Sequence, residues 1–173
     1  MSYRAIVAIL ALILGAPALA DTIAVIGTGD VGGALGPEFA AQGHTIVYGS
    51  RDPQRGKVKE LVEKTGDLAS ATTPAEAAAQ ADIVVLAVPG LMVEEITKSL
   101  GDLSGKIIID PTNPLERRMN RLEHAVDTSN AEIIQAAAPG AYVVKAFNTL
   151  NWKTMVDPSS AGGPVSIPLV GDN

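Results

Sequence analysis

Apolar residues along the chain fall into short runs that alternate with segments of helical spacing. Residues 22–26 form a β-branched run ended by Gly27, and Val31, Leu35 and Phe39 then recur four apart, which puts them on one face of a helix. Gly43 closes that helix, and residues 44–48 read as a second strand. The polar stretch 51–67 carries Val58, Leu61 and Val62 at helical spacing, and residues 68–71 follow as a minor edge strand. Thr73-Pro74-Ala75-Glu76 has the form of a capping box with proline at the first helical position: the hydroxyl accepts a free backbone N–H and the carboxylate reaches back. That helix is expected to run to about Ala81. Residues 83–88 are continuously apolar, as in a strand covered on both faces, and Pro89-Gly90 breaks the run. The remainder predicts a helix over 93–100, a strand over 106–110, a long loop through Pro114, a helix near 132–138, a strand over 142–146 and a last short strand over 168–170. The Pro, Gly and Ser cluster at 158–164 is linker-like.

Repeated β-helix-β units without interposed hairpins predict an α/β fold, a doubly wound parallel sheet of Rossmann-like, NAD(P)-binding type, because right-handed crossovers place helices on both faces. A chain of 173 residues suits one such domain. At 47 % hydrophobic, 18 % charged and a mean hydropathy of +0.24, it supplies a core and is too apolar to be disordered. The net charge of -6 and pI near 4.8 argue against nucleic acid, whose phosphates call for clustered Lys and Arg. The absence of cysteine excludes disulfides, thiolate zinc and thiol catalysis. His44 and His124 make no metal-ligand spacing, so no metal is expected.

The N-terminus has a pattern of its own. Arg4, an apolar run over 5–14 and Ala18-Leu19-Ala20 before Asp21 match a cleavable secretory signal over residues 1–20, leaving a domain over 21–173. The stretch falls short of the ~20 apolar residues of a spanning helix, so no stable membrane span is expected. A genuine leader implies export, to a periplasm or outside the cell; without it the chain is cytoplasmic.

Candidate chemistry begins at Gly27-Thr28-Gly29-Asp30-Val31-Gly32, a GxGxxG sequence after the first strand and opening a helix. Gly27 permits the tight turn, Gly29 lets a pyrophosphate approach the backbone, and Gly32 lets the helix lie close to the strand. The helix start then offers free N–H groups and about half a positive charge to the diphosphate. Pro37 inside the same helix removes a hydrogen bond and predicts a kink. The second strand ends in Gly49-Ser50-Arg51 instead of the Asp or Glu that bonds a ribose 2′-hydroxyl. Ser50 offers a hydrogen bond and Arg51 a charge to a 2′-phosphate, with Arg55 and Lys57 adding to it, which favours NADP(H) over NAD(H). Asp52 is expected to cap the following helix.

These features occur in order with Gly43-His44, the 86–89 strand end Leu-Ala-Val-Pro, Asp110-Pro111-Thr112-Asn113-Pro114 and Val144-Lys145-Ala146-Phe147-Asn148-Thr149. Together they resemble the NADPH-dependent reductases of the deazaflavin coenzyme F-420 and the related NADP-binding domain of ferric and cupric reductases, over residues 22–173. The resemblance implies phosphate contacts from Thr28, Ser50 and Arg51, and a cofactor path lined by Ala87, Val88 and Pro89. Asn113 and Asn148, in loops after strands, are candidates for the nicotinamide side or for loop-capping Asx turns. Members of the family continue past the position of Gly171-Asp172, so the C-terminal part that helps form an acceptor surface and a dimer is expected to be missing.

No acid, base or nucleophile stands out. Glu94 and Glu95 are adjacent and point apart on a helix, and Ser50 has no activating base in its sequence neighbourhood. That suits hydride transfer between two flat rings, where the protein aligns the reactive carbons and the cofactors carry the chemistry. The leading expectation is an NADP(H)-dependent oxidoreductase with a deazaflavin or flavin-like acceptor, coenzyme F-420 being the candidate second substrate. The alternatives are a non-catalytic NADP(H)-binding module that serves a partner protein, and a carbonyl or imine dehydrogenase with Lys145 as proton donor. A homodimer is compatible with each.

Overall fold

The computed structural model describes residues 20–118 and 121–172, so the expected leader lies outside them apart from Ala20. Strands β1 (Thr22–Ile26), β2 (Thr45–Gly49), β3 (Ala69–Thr72), β4 (Ile83–Leu86), β5 (Ile107–Asp110) and β8 (Tyr142–Lys145) form one sheet, in the order β3-β2-β1-β4-β5-β8. Every pairing is parallel. The sequence of strands reverses direction between β1 and β4, the point where open α/β sheets bind ligands at their carboxyl edge.

The apolar runs are explained by two buried layers. Ala24 and Ile26 of β1 face a cluster with Ala77, Val93, Leu100 and Ile134, while Ile23 and Val25 face one with Leu35, Tyr48 and Leu61. Helices α3 (Pro74–Gln80), α4 (Val93–Ser99) and α5 (Asn130–Ala137) therefore cover one face. The other carries α1 (Asp30–Ala41), α2 (Gly56–Thr65) and α6 (Trp152–Val156). The Thr73–Glu76 capping box is present, with a second at Ser129 and Glu132 that starts α5. Hydrogen bonds from Thr128 and Ser129 hold the Glu132 carboxyl at about 2, below the usual range, so this cap keeps its charge in moderate acid.

Several expectations are corrected. The loop expected through Pro114 gives way to an antiparallel hairpin, β6 (Leu115–Arg118) with β7 (Arg121–His124), so a hairpin does interrupt the β-helix-β series. Its charged residues, with Glu116, Arg117 and Arg118 in a row, hide any strand alternation, which a short ribbon outside the main sheet does not need. The linker-like stretch holds a 3-10 turn, Pro158–Ala161, preceded by the unpredicted α6. The last strand reduces to a single antiparallel bridge from Val170 to Lys145. His44 lies just outside β2, its Nδ1 accepting the Asp21 N–H at 3.3 Å. Pro37 lies inside helix α1 as expected, and Gly36 beside it is required because a Cβ there would lie 2.1 Å from the buried Tyr48 Oη. No helix among the described residues is long and apolar enough to cross a membrane.

Candidate functional site

The carboxyl ends of β1, β2 and β4 meet at the glycine turn. Gly27 has φ +102°, a left-handed value that favours glycine, and its N–H donates to the Gly49 carbonyl at 3.0 Å. A Cβ on Gly27 would lie 2.1 Å from the Ala87 carbonyl oxygen, so this turn is wedged between the ends of β2 and β4. Gly32 is equally constrained, since its Cβ would lie 2.0 Å from the Gly27 carbonyl oxygen. Gly29 differs, with nothing within 4 Å of an added Cβ. It is the N-cap of α1 and no side chain caps that helix, which leaves its first turn open for a phosphate. Thr28 is half-buried beside it, Asp30 is exposed, and Val31 packs on the second core layer.

This contrast yields a prediction. Gly32→Ala is expected to lower stability by about 1–3 kcal/mol, because backbone oxygen cannot yield as a side chain does. Gly29→Ala should cost about 1 kcal/mol or less, yet weaken NADP⁺ binding at least about tenfold by filling the phosphate's place. Thermal melts and nucleotide titration of the two variants check this, and equal effects of both on folding would contradict it.

Ser50 is 8 % exposed and sits directly after β2. Its Oγ donates to the Asp52 carbonyl at 3.1 Å and accepts the Asp52 N–H at 3.2 Å, a compact turn that aims the following residues outward. Arg51, Arg55 and Lys57 are all exposed past that turn. Asp52 does not cap α2: Arg55 is the N-cap, without a side-chain cap, and Asp52 Oδ1 accepts the Gln54 N–H at 3.2 Å. Ala87, Val88 and Pro89 follow β4, with Val88 half-buried next to Gly27. The predicted adenosine-side and strand-end residues thus lie along one edge.

Towards β5 and β8 the same edge carries a polar network. Asp110 is fully buried, and its Oδ1 accepts the Thr112 N–H at 2.8 Å and the Thr112 hydroxyl at 2.6 Å. Lys145 donates to Asp110 Oδ2 at 2.7 Å and also to the Thr112 carbonyl. With 15 % of its side chain exposed, Lys145 is engaged by Asp110 and Thr112 and ties β8 to the loop after β5. Asn113 and Asn148 form neither Asx turn; they clasp each other, Asn113 Nδ2 donating to the Asn148 carbonyl at 2.8 Å and Asn148 Nδ2 to Asn113 Oδ1 at 3.2 Å. Phe147, just before that clasp, has φ +66°, an uncommon conformation for an aromatic residue that the clasp and its packing hold in place. The sequence reading missed Asn130 of α5, although the Ser129-x-x-Glu132 spacing marks the start of its helix. Glu94 pairs with Lys98 at 2.6 Å, and His124 is exposed on β7. Among the described residues no group of His, Asp or Glu is arranged to hold a metal.

Residues 22–114 match the family model of the coenzyme F420-dependent NADP oxidoreductases. The chain belongs to that family. It is 30 % identical over 151 residues to the F420-dependent NADP reductase of Methanothermobacter marburgensis, covering 78 % of this chain and 66 % of the relative. It is also 30 % identical over 152 residues to the metalloreductase STEAP3 of Rattus norvegicus, covering 87 % of this chain and 29 % of that protein. A solved structure from Arthrobacter sp. FB24, assigned as an F420-dependent NADP reductase, superposes with a TM-score of 0.79 at 32 % identity, covering 87 % of this chain and 73 % of the other. The chain therefore spans just under two-thirds of the methanogen reductase and less than a third of STEAP3. The glycine turn, the Ser50-Arg51 corner and the 87–89 strand end all lie within the matched segment.

Proposed function

We propose that this member of an NADP-dependent oxidoreductase family transfers hydride between NADP(H) and a deazaflavin or flavin-like ring, with coenzyme F-420 as the leading acceptor. The observation that carries the reading is the uncapped start of α1 at Gly29, with open space at its Cβ and Arg51 exposed at the end of the neighbouring strand. Gly27, Thr28, Gly29, Asp30, Val31 and Gly32 form the diphosphate turn, Arg51 and Arg55 bind the 2′-phosphate, and Ser50, whose hydroxyl donates to the Asp52 carbonyl, shapes the turn that presents them. Ala87, Val88, Pro89 and Asn113 line the way to the nicotinamide. Bound NADPH supplies the hydride. The chain's own task is to order the ring and exclude water, and no residue is assigned as an acid or base.

The alternative is an NADP(H)-binding module that serves a partner. Mixing the purified chain with NADPH and F-420, then following the absorbance of both rings, separates the two. The proposal expects F-420 to be reduced as NADPH is consumed, far faster than with NADH. Tight NADPH binding with no reduction of F-420 or free flavin would replace it with the second reading. Export by the leader is a further part of the proposal, and N-terminal sequencing of secreted material, expected to begin at Asp21, tests it.

A further inference from the structure

A dinucleotide whose adenosine half lies over β1 and β2 extends its other half across the ends of β4 and β5. Two loops frame that part of the edge, the turn at Val88, Pro89 and Gly90 and the segment 111–113 after β5, and one side chain is bonded to both. Asn130, placed at the first position of α5 by the Ser129 cap, is 1 % exposed. Its Nδ2 donates to the Gly90 carbonyl at 2.9 Å and to Thr112 Oγ1 at 2.6 Å, using both of its N–H bonds. Thr112 is itself locked by Asp110, and Asp110 by Lys145 from β8. The two loops also touch directly, since a Cβ on Gly90 would lie 1.9 Å from the Asn113 carbonyl oxygen. Their spacing is thus fixed by backbone contact and by the Asn130 amide together.

The same amide leaves Oδ1 buried without a hydrogen-bond partner. An orphaned buried oxygen opposes folding, so the two donated bonds give less net stability than their number suggests. What they impose is geometry. We propose that Asn130 is a positioning residue for the nicotinamide half of the cofactor, setting the gap between the Val88-Pro89-Gly90 turn and the Thr112-Asn113 loop. This rests on the NADP(H) reading of the site and not on the identity of the acceptor. Misplacement by about 1 Å of groups remote from the reacting atoms is enough to cost about 100-fold in rate.

The test uses two probes on the full chain: adenosine 2′,5′-bisphosphate, which has the adenosine half alone, and NADPH, whose fluorescence reports how firmly the reduced ring is held. Asn130→Leu removes both donors at similar volume, and Asn130→Asp removes them at the same shape. Both variants are expected to bind the bisphosphate within about twofold of the wild type. Bound NADPH should lose at least about half of its fluorescence enhancement and anisotropy. Thr112→Ser keeps the accepting hydroxyl and is expected to keep the wild-type signal. A bound ring as ordered in both variants as in the wild type would overturn the proposal. So would a parallel loss of bisphosphate binding, which a merely structural role predicts. The signal needs no acceptor, so it decides the role of Asn130 even where hydride transfer to F-420 fails.

Discussion

Arg51→Asp is expected to weaken NADPH binding about 100-fold and to leave NADH binding within about threefold of the wild type. Arg51 is exposed at the end of β2, held outward by the Ser50–Asp52 turn, with Arg55 one short turn further on. A guanidinium paired with a phosphate makes charge-assisted hydrogen bonds of about 1.5–3 kcal/mol each, and a carboxylate in its place repels the same group. Arg55 remains and water screens the exposed pair, which holds the loss near two decades. NADH lacks the 2′-phosphate, so its binding has little to lose, and a carboxylate near the ribose hydroxyls offers it a hydrogen bond. Paired titrations at one fixed salt concentration read the ratio directly. Equal losses for both nucleotides would show that Arg51 does not contact the extra phosphate.

Breaking the buried ion pair is expected to have the largest effect on folding. Asp110 is fully buried and Lys145 nearly so, and their contact joins β5 to β8 where the candidate site has its polar network. Replacing either partner alone leaves the other charge uncompensated in the interior, which costs about 3–5 kcal/mol. Asp110→Asn and Lys145→Met should each lose that much in denaturant unfolding, equivalent to roughly 10 °C in melting temperature for a domain of this size. The double variant should lose clearly less than the sum, because no lone charge remains. Additive losses, or single losses under about 1 kcal/mol, would mean that water reaches the pair. Asp110 also receives two hydrogen bonds from Thr112, so the damage should spread to the loop that Asn130 holds.

The parts of this molecule legible in the sequence are those set by local rules. Apolar runs at 22–26 and 83–88 read as buried strands because both of their faces meet helices, and the two layers around Ala24 and Val25 show why. The glycine turn was legible because each of its glycines answers to a distinct steric demand. Gly27 and Gly32 are forced by backbone oxygens, and Gly29 is left open. What escaped the sequence depends on contacts between segments far apart in the chain. Asn113 and Asn148 read equally well as turn caps or site residues, and only the folding of β5 beside β8 brings them into one clasp. The pairing of Lys145 with Asp110 likewise joins residues 35 apart, which no local pattern shows. The β6–β7 hairpin was hidden by its composition, since a two-stranded ribbon with Leu122 exposed carries no core-facing period.

A carboxyl edge around Gly29 and Arg51 that receives a nicotinamide dinucleotide with a phosphate on its adenosine ribose must tell NADP⁺ from NAD⁺. Calorimetric titration of the purified chain with NADP⁺ and with NAD⁺, in the same buffer, measures that difference. Saturable binding of NADP⁺ is expected, at least about tenfold tighter than that of NAD⁺, a gap of about 1.4 kcal/mol or more. Equal affinity for the two, or no heat from either, would contradict it.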